Sequence, residues 1–94
     1  MEKFTVRVEL HKAESDDYER LHGKMESKGF SREITGSSGT TYYLPSAEYI
    51  YESSTESRNE VSAKAKKIAD SIKNNSGVLV TQSKGRSMRG LKEA

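Results

Sequence analysis

The chain has 94 residues, enough for one domain with a single modest core and too few for two independent ones. Charged and hydrophobic residues each make up 32% of it, and sixteen basic against fourteen acidic side chains give a net charge of +2, too small to imply a polyanionic partner by itself. Cysteine is absent, which excludes a disulfide framework and a thiolate metal site; two isolated histidines do not replace one, so no metal and no cofactor is expected.

No apolar run approaches the roughly 20 residues of a membrane helix. Met1-Glu2-Lys3 leads straight into a strand-like segment rather than a signal-peptide stretch, so a cytoplasmic location with no membrane association is expected. The charge is unevenly spread. Glu14 to Glu19 and Glu48 to Glu60 lean acidic, whereas basic residues dominate from Lys64 onward.

Phe4, Val6, Val8 and Leu10 alternate with Thr5, Arg7, Glu9 and His11, the period-two pattern of a strand with one face packed. Ser15 can cap a helix whose first turn carries Asp16 and Asp17, both favourable at the positive end of the helix dipole. Tyr18, Leu21 and Met25 then share one stripe, Gly29 supplies the left-handed stop, and Phe30 folds back on the last turn. Phe30 to Thr35 reads as a short strand, and the turn Gly36-Ser37-Ser38-Gly39 returns the chain antiparallel to it. The second arm runs from Thr40 to about Ser53, interrupted by Pro45, which cannot donate a ladder bond; after it Ala47, Tyr49 and Tyr51 share the inward face.

Ser57-Arg58-Asn59-Glu60 matches a capping box and opens a second helix, on which Val61, Ala65, Ile68 and Ile72 form the apolar stripe. Asn74-Asn75-Ser76-Gly77 ends it, and Val78-Leu79-Val80-Thr81 has the β propensity of a fourth strand. The order βαββαβ predicts an α+β fold, a ferredoxin-like sandwich with one four-stranded antiparallel sheet and both helices on one face. Residues 1–83 form this domain, and 84–94 a basic, flexible tail.

The uncovered face of the first strand should present Arg7, Glu9 and His11. A carboxylate and an imidazole can share proton transfer in RNA cleavage while a guanidinium holds the phosphate, although the same residues also read as a solvated strand face or a subunit contact. Arg32 offers a further phosphate contact, or plain protection of a sheet edge. His22 borders the apolar stripe of the first helix, where partial burial is the simpler reading. Tyr49 and Tyr51 keep phase with the core. Tyr42 and Tyr43 are less determined, and an aromatic ring there could stack on an unpaired base. Lys84, Arg86 and Arg89, interspersed with glycines, suit a phosphate backbone or an ordinary loose terminus. No phosphate-binding glycine loop, dinucleotide fingerprint, metal-ligand spacing or activated-serine motif is present, which disfavours small-molecule enzymology.

Leu21 to Met25, the helix-ending Gly29-Phe30, the hairpin and the Leu44 to Tyr51 strand together resemble the GhoS family, the small antitoxins of type V toxin–antitoxin systems. The likeness lies in element spacing and apolar positions up to the fourth strand. It implies a Cas2-like endoribonuclease that cuts the toxin's messenger RNA. Glu9 stands where Cas2-like proteins often carry an aspartate, and His22 corresponds to a basic helix position of the antitoxins. On this resemblance Glu9, His11 and Arg32 are candidate catalytic residues, and Arg7, His22, Tyr43, Lys84, Arg86 and Arg89 candidate RNA contacts. The alternative is a non-catalytic ferredoxin-like module that binds RNA or a protein. Ile50 and one of Val78 or Leu79 should point away from the helices, so a homodimer through the open sheet face is expected.

Overall fold

The computed structural model describes residues 2–35, 39–44, 47–83 and 93. In chain order they form β1 (Glu2–Glu9), α1 (Ser15–Ser27), β2 (Glu33–Thr35), β3 (Thr41–Tyr43), β4 (Glu48–Ser53), α2 (Arg58–Ile72) and β5 (Gly77–Ser83). No described helix is long and apolar enough to cross a membrane.

The alternation in β1 is realised in full. Phe4, Val6 and Val8 are buried, with Leu10 just beyond the strand, while Arg7 and Glu9 are exposed on the reverse. β1 is central: β4 and β5 flank it, both antiparallel, with Val6 opposite Tyr49 on one side and Val80 on the other. The two helices cover the same face, because Leu21 and Met25 of α1 and Val61, Ala65 and Ala69 of α2 join Phe4, Val6, Val8, Phe30, Tyr49 and Tyr51 in one core cluster.

The expected single four-stranded sheet is not formed. The structure has a three-stranded sheet, β4-β1-β5, and a separate two-stranded one, β2-β3. The arm expected to run from Thr40 to about Ser53 as one interrupted strand divides into two: β3 stops at Tyr43, and Ala47 takes a φ of 63°, a left-handed conformation that re-aims the chain before β4. Pro45, the expected interruption, lies outside the described residues. β4 then pairs with β1, and the Val8 N–H bonds to the Ala47 carbonyl at 2.9 Å. The hairpin meets β4 through one bridge, in which Ser31 and Ile50 exchange both backbone bonds at 2.8 and 2.7 Å.

Regular pairing in the first arm of the hairpin starts only at Glu33, with Phe30 already in the core. Helix α1 also begins differently from expectation. Glu14, not Ser15, is the N-cap, and the Asp17 carboxylate accepts its backbone N–H at 3.0 Å. Asp17 suits this better than a serine hydroxyl would, since it also accepts from Arg20 at 2.5 Å and lies 3.6 Å from Lys73 at the far end of α2. The α2 start is as expected: the Ser57 hydroxyl accepts the Glu60 N–H at 3.2 Å, and the Glu60 carboxylate accepts the Ser57 N–H at 2.9 Å.

Candidate functional site

Successive side chains of a strand point to opposite faces, so burial of Phe4, Val6 and Val8 beneath the helices sends Arg7 and Glu9 to the other side of the sheet. There Arg7 stands opposite Glu48 of β4 and Leu79 of β5, and Glu9 opposite Gly77. His11 follows in the turn that Lys12 closes with a φ of 56°. This turn brings the His11 Nδ1 to 3.6 Å from a Glu9 carboxylate oxygen, with both side chains more than half exposed. An acid and an imidazole thus meet in solvent, with a guanidinium two residues back on the same face.

The other candidates assemble elsewhere. Arg32 follows Ser31 in the approach to β2, and its guanidinium carbon lies 5.9 Å from the centre of the Tyr43 ring, within cation–π range. Tyr43 is 40% exposed. The two border a shallow hollow of about 330 Å³ that Glu26, Gly29, Phe30, Ser31 and Glu33 complete. Behind it, on the helix side of the sheet, the His22 Nδ1 lies 2.6 Å from the Tyr49 hydroxyl. Burial pushes the His22 imidazole below its ordinary range, and the Arg32 charge acts in the same direction against Glu26 and Glu19. Burial likewise raises the Tyr49 phenol, so it stays a neutral hydroxyl.

The structure therefore brings Glu9 to His11, with Arg7 nearby, and brings Arg32 to Tyr43 and His22. It does not bring Arg32 to Glu9. Lys84, Arg86 and Arg89 lie outside the described residues. Ile50, expected to be open, falls on the Thr5 side of the sheet by register yet is only 8% exposed, so Leu79, at 64%, is the one large apolar side chain exposed on the described part of that face.

Two contacts escaped sequence reasoning. The first is the His22–Tyr49 bond, for which there was a signal: a core tyrosine needs a partner for its hydroxyl, and a polar residue bordering a helical stripe can supply one. The second is a polar cluster on the rim of the core. The Tyr51 hydroxyl donates to Glu56 at 2.5 Å and accepts from Lys64 at 2.7 Å, while its ring stacks on Phe30 with centres 4.3 Å apart. Among the described residues, no three histidine, aspartate or glutamate side chains are grouped to hold a metal ion.

Comparison of the chain with protein-family models, with curated proteins and with solved structures finds no match.

Proposed function

We propose that the chain is an RNA-cleaving antitoxin of the GhoS type, built on a ferredoxin-like plan and acting on messenger RNA. The arrangement of β4 and β5 on either side of β1, all antiparallel, with the hairpin docked at the outer edge of β4, supports the ferredoxin-like reading; the edge strand of that plan is here peeled into its own small sheet. The observation that carries the activity is the 3.6 Å approach of the Glu9 carboxylate to the His11 imidazole in solvent. In RNA cleavage one member of such a pair takes the proton of the ribose 2′-hydroxyl as its oxygen attacks phosphorus, and the other protonates the departing 5′-oxygen. The products are a 2′,3′-cyclic phosphate and a 5′-hydroxyl. Arg7, on the same face, supplies the guanidinium for the charge that builds on the phosphate. Arg32 and Tyr43 act in this reading as a remote contact for the RNA.

Purified protein incubated with AU-rich and structured transcripts, with and without chelator, is expected to give discrete cuts that Glu9→Gln and His11→Ala strongly weaken. Intact RNA under all these conditions removes the nuclease reading. The cation–π pair of Arg32 and Tyr43 favours a second reading, in which the chain holds RNA by stacking and charge without cutting it. Salt-sensitive binding with no cleavage distinguishes it.

A further inference from the structure

The helical layer carries a second feature, on the opposite face of the sheet from Glu9 and beside the Arg32–Tyr43 hollow, since Ser27 and Lys28 adjoin Glu26 and Gly29 of its lining. Helices α1 and α2 lie side by side, and between them runs a groove of about 590 Å³ lined by Lys24, Ser27 and Lys28 on one bank and Lys64, Lys67, Ile68 and Ser71 on the other. The spacing explains the grouping. Positions 24, 27 and 28 fall on one side of α1 and its C-cap, and 64, 67, 68 and 71 on one side of α2, by the i, i+3, i+4, i+7 rule.

We infer that this groove binds the sugar–phosphate backbone of single-stranded RNA. Its lining holds four ammonium groups and no carboxylate, in a chain whose net charge is only +2. The other lysines of α2 and its end are differently placed: Lys66 lies 2.9 Å from Asp70, and Lys73 is 3.6 Å from Asp17. Among the described residues Lys24, Lys28 and Lys67 have no carboxylate within ion-pair distance. Lys64 is the exception, 3.6 Å from Glu56, and its bond to the Tyr51 hydroxyl, more than that carboxylate, holds its ammonium in the charged form.

Uncompensated like charges across a groove repel one another, and a chain of phosphates relieves that repulsion while releasing its own condensed cations. The serine hydroxyls on the two banks are held locally, Ser27 donating to the Lys24 carbonyl at 2.8 Å. Ser71 is already oriented, accepting from the Lys24 ammonium at 3.2 Å and donating to the Ile68 carbonyl at 2.5 Å. No exposed aromatic ring lines the groove, so it offers a base nothing to stack on, and recognition falls to charge, independent of sequence. The inference rests on the chain being an RNA-handling protein, but not on its cutting RNA.

The test uses the full chain with His11→Ala, so that bound RNA stays whole, and a fluorescein-labelled oligouridylate read by anisotropy over a range of salt. Replacing Lys24, Lys28 and Lys67 together with alanine is expected to weaken binding. It should also lower the log–log dependence of affinity on salt by about 2, roughly 0.7 for each lysine removed. Arg58→Ala serves as the control. It removes a cation from an exposed position of α2 that lies on another side of the cylinder, and it should leave both quantities unchanged.

Circular dichroism confirms that the triple variant is folded. Binding and salt slope equal to those of the parent overturn the proposal, as does an Arg58→Ala loss as large as a third of that of the triple variant. Lysine-dependent sedimentation with anionic phosphatidylglycerol vesicles, in place of RNA binding, overturns it in favour of a membrane surface. Failure of the nuclease reading is read separately: RNA that the unmutated chain leaves uncut, but binds through the three lysines, refutes cleavage and supports the groove.

Discussion

The His22 Nδ1 and the Tyr49 hydroxyl, 2.6 Å apart, join helix α1 to strand β4 across 27 residues of sequence. Tyr49 is fully buried in the core and His22 half-buried at its margin, so the pair closes the inner side of the Arg32 neighbourhood. Burial first, and then the Arg32 charge, holds the imidazole below its ordinary value of 6.5. The unfolded chain therefore takes up this proton before the folded one does as pH falls. The stability carried by the neutral ring is whole above about pH 6.5 and is lost as pH drops through the lower, folded value. His22→Gln removes that slope. Thermal midpoints of the two proteins, followed between roughly pH 7.5 and 5 around the ordinary histidine range, should converge on acidification, and curves that stay parallel contradict the assignment.

Gly29 ends α1 with a φ of 91°, while the Phe30 N–H reaches back to the Met25 carbonyl at 3.0 Å. A Cβ added at Gly29 would meet the Tyr51 ring at 3.4 Å, the near limit of ordinary van der Waals contact. Gly29→Ala therefore combines backbone strain of about 1 to 2 kcal/mol with pressure on the Phe30–Tyr51 stack. Urea denaturation should show a lowered midpoint with an unchanged slope. A midpoint equal to that of the parent means that this turn is not held as described.

Asp17 is a buried carboxylate shared by three donors. It accepts the Glu14 N–H, binds Arg20 and faces Lys73, tying the start of α1 to the end of α2. The Glu14 backbone bond, then the Arg20 bond, keeps it below its ordinary 3.8, against the opposing effect of burial. For a carboxyl lowered on folding, the linked stability is complete above the ordinary value and disappears as pH falls through the folded one. Asp17→Asn keeps the shape and removes the charge. It should lower the denaturation midpoint at neutral pH, because the bonds from Arg20 and Lys73 lose their charged acceptor. The gap between variant and parent should narrow in strong acid, as denaturant titrations at the two pH extremes would register.

The parts of this fold that were legible in the sequence are those set by neighbours along the chain. The alternation from Phe4 to Leu10, the stripe of Leu21 and Met25 and the Ser57–Glu60 box each follow from a local period or a four-residue motif, and each is present. The division of the sheet was not legible. It depends on Ala47 adopting a left-handed φ and on β4 choosing β1 over the hairpin, a choice made by distant packing. The Glu14 cap was hidden for a related reason, because Ser15 is the better local cap and Asp17 gains its partners Arg20 and Lys73 only once the helix and its neighbour are formed. Among candidate site residues, the shared side of Arg7 and Glu9 followed from strand alternation, whereas the approach of His11 to Glu9 required the turn closed by Lys12, and that of Arg32 to Tyr43 the register of the hairpin, with Glu33 opposite Tyr43.

The nuclease proposal gives the most demanding prediction, because both members of its acid–base pair are exposed. The Glu9 and His11 side chains are both more than half exposed, so Glu9→Gln and His11→Ala should leave the thermal midpoint unchanged while each lowers the cleavage rate by about 10² to 10⁴, the range for loss of a general acid or base. Arg7→Lys preserves charge but loses the planar fork that grips a phosphate, so it should also cut more slowly. Arg32→Ala, on the helix side of the sheet, should weaken RNA binding more than the rate at saturating RNA. The chemistry can be checked without a mutation. If a ribose hydroxyl is the nucleophile, a transcript carrying a single 2′-deoxynucleotide at the cut site must resist cleavage there, and the upstream product of an unmodified transcript must end in a cyclic phosphate. Cutting at the deoxy position, or full activity in Glu9→Gln, shows that the Glu9–His11 contact is an ordinary surface pair and that any cleavage comes from another part of the chain.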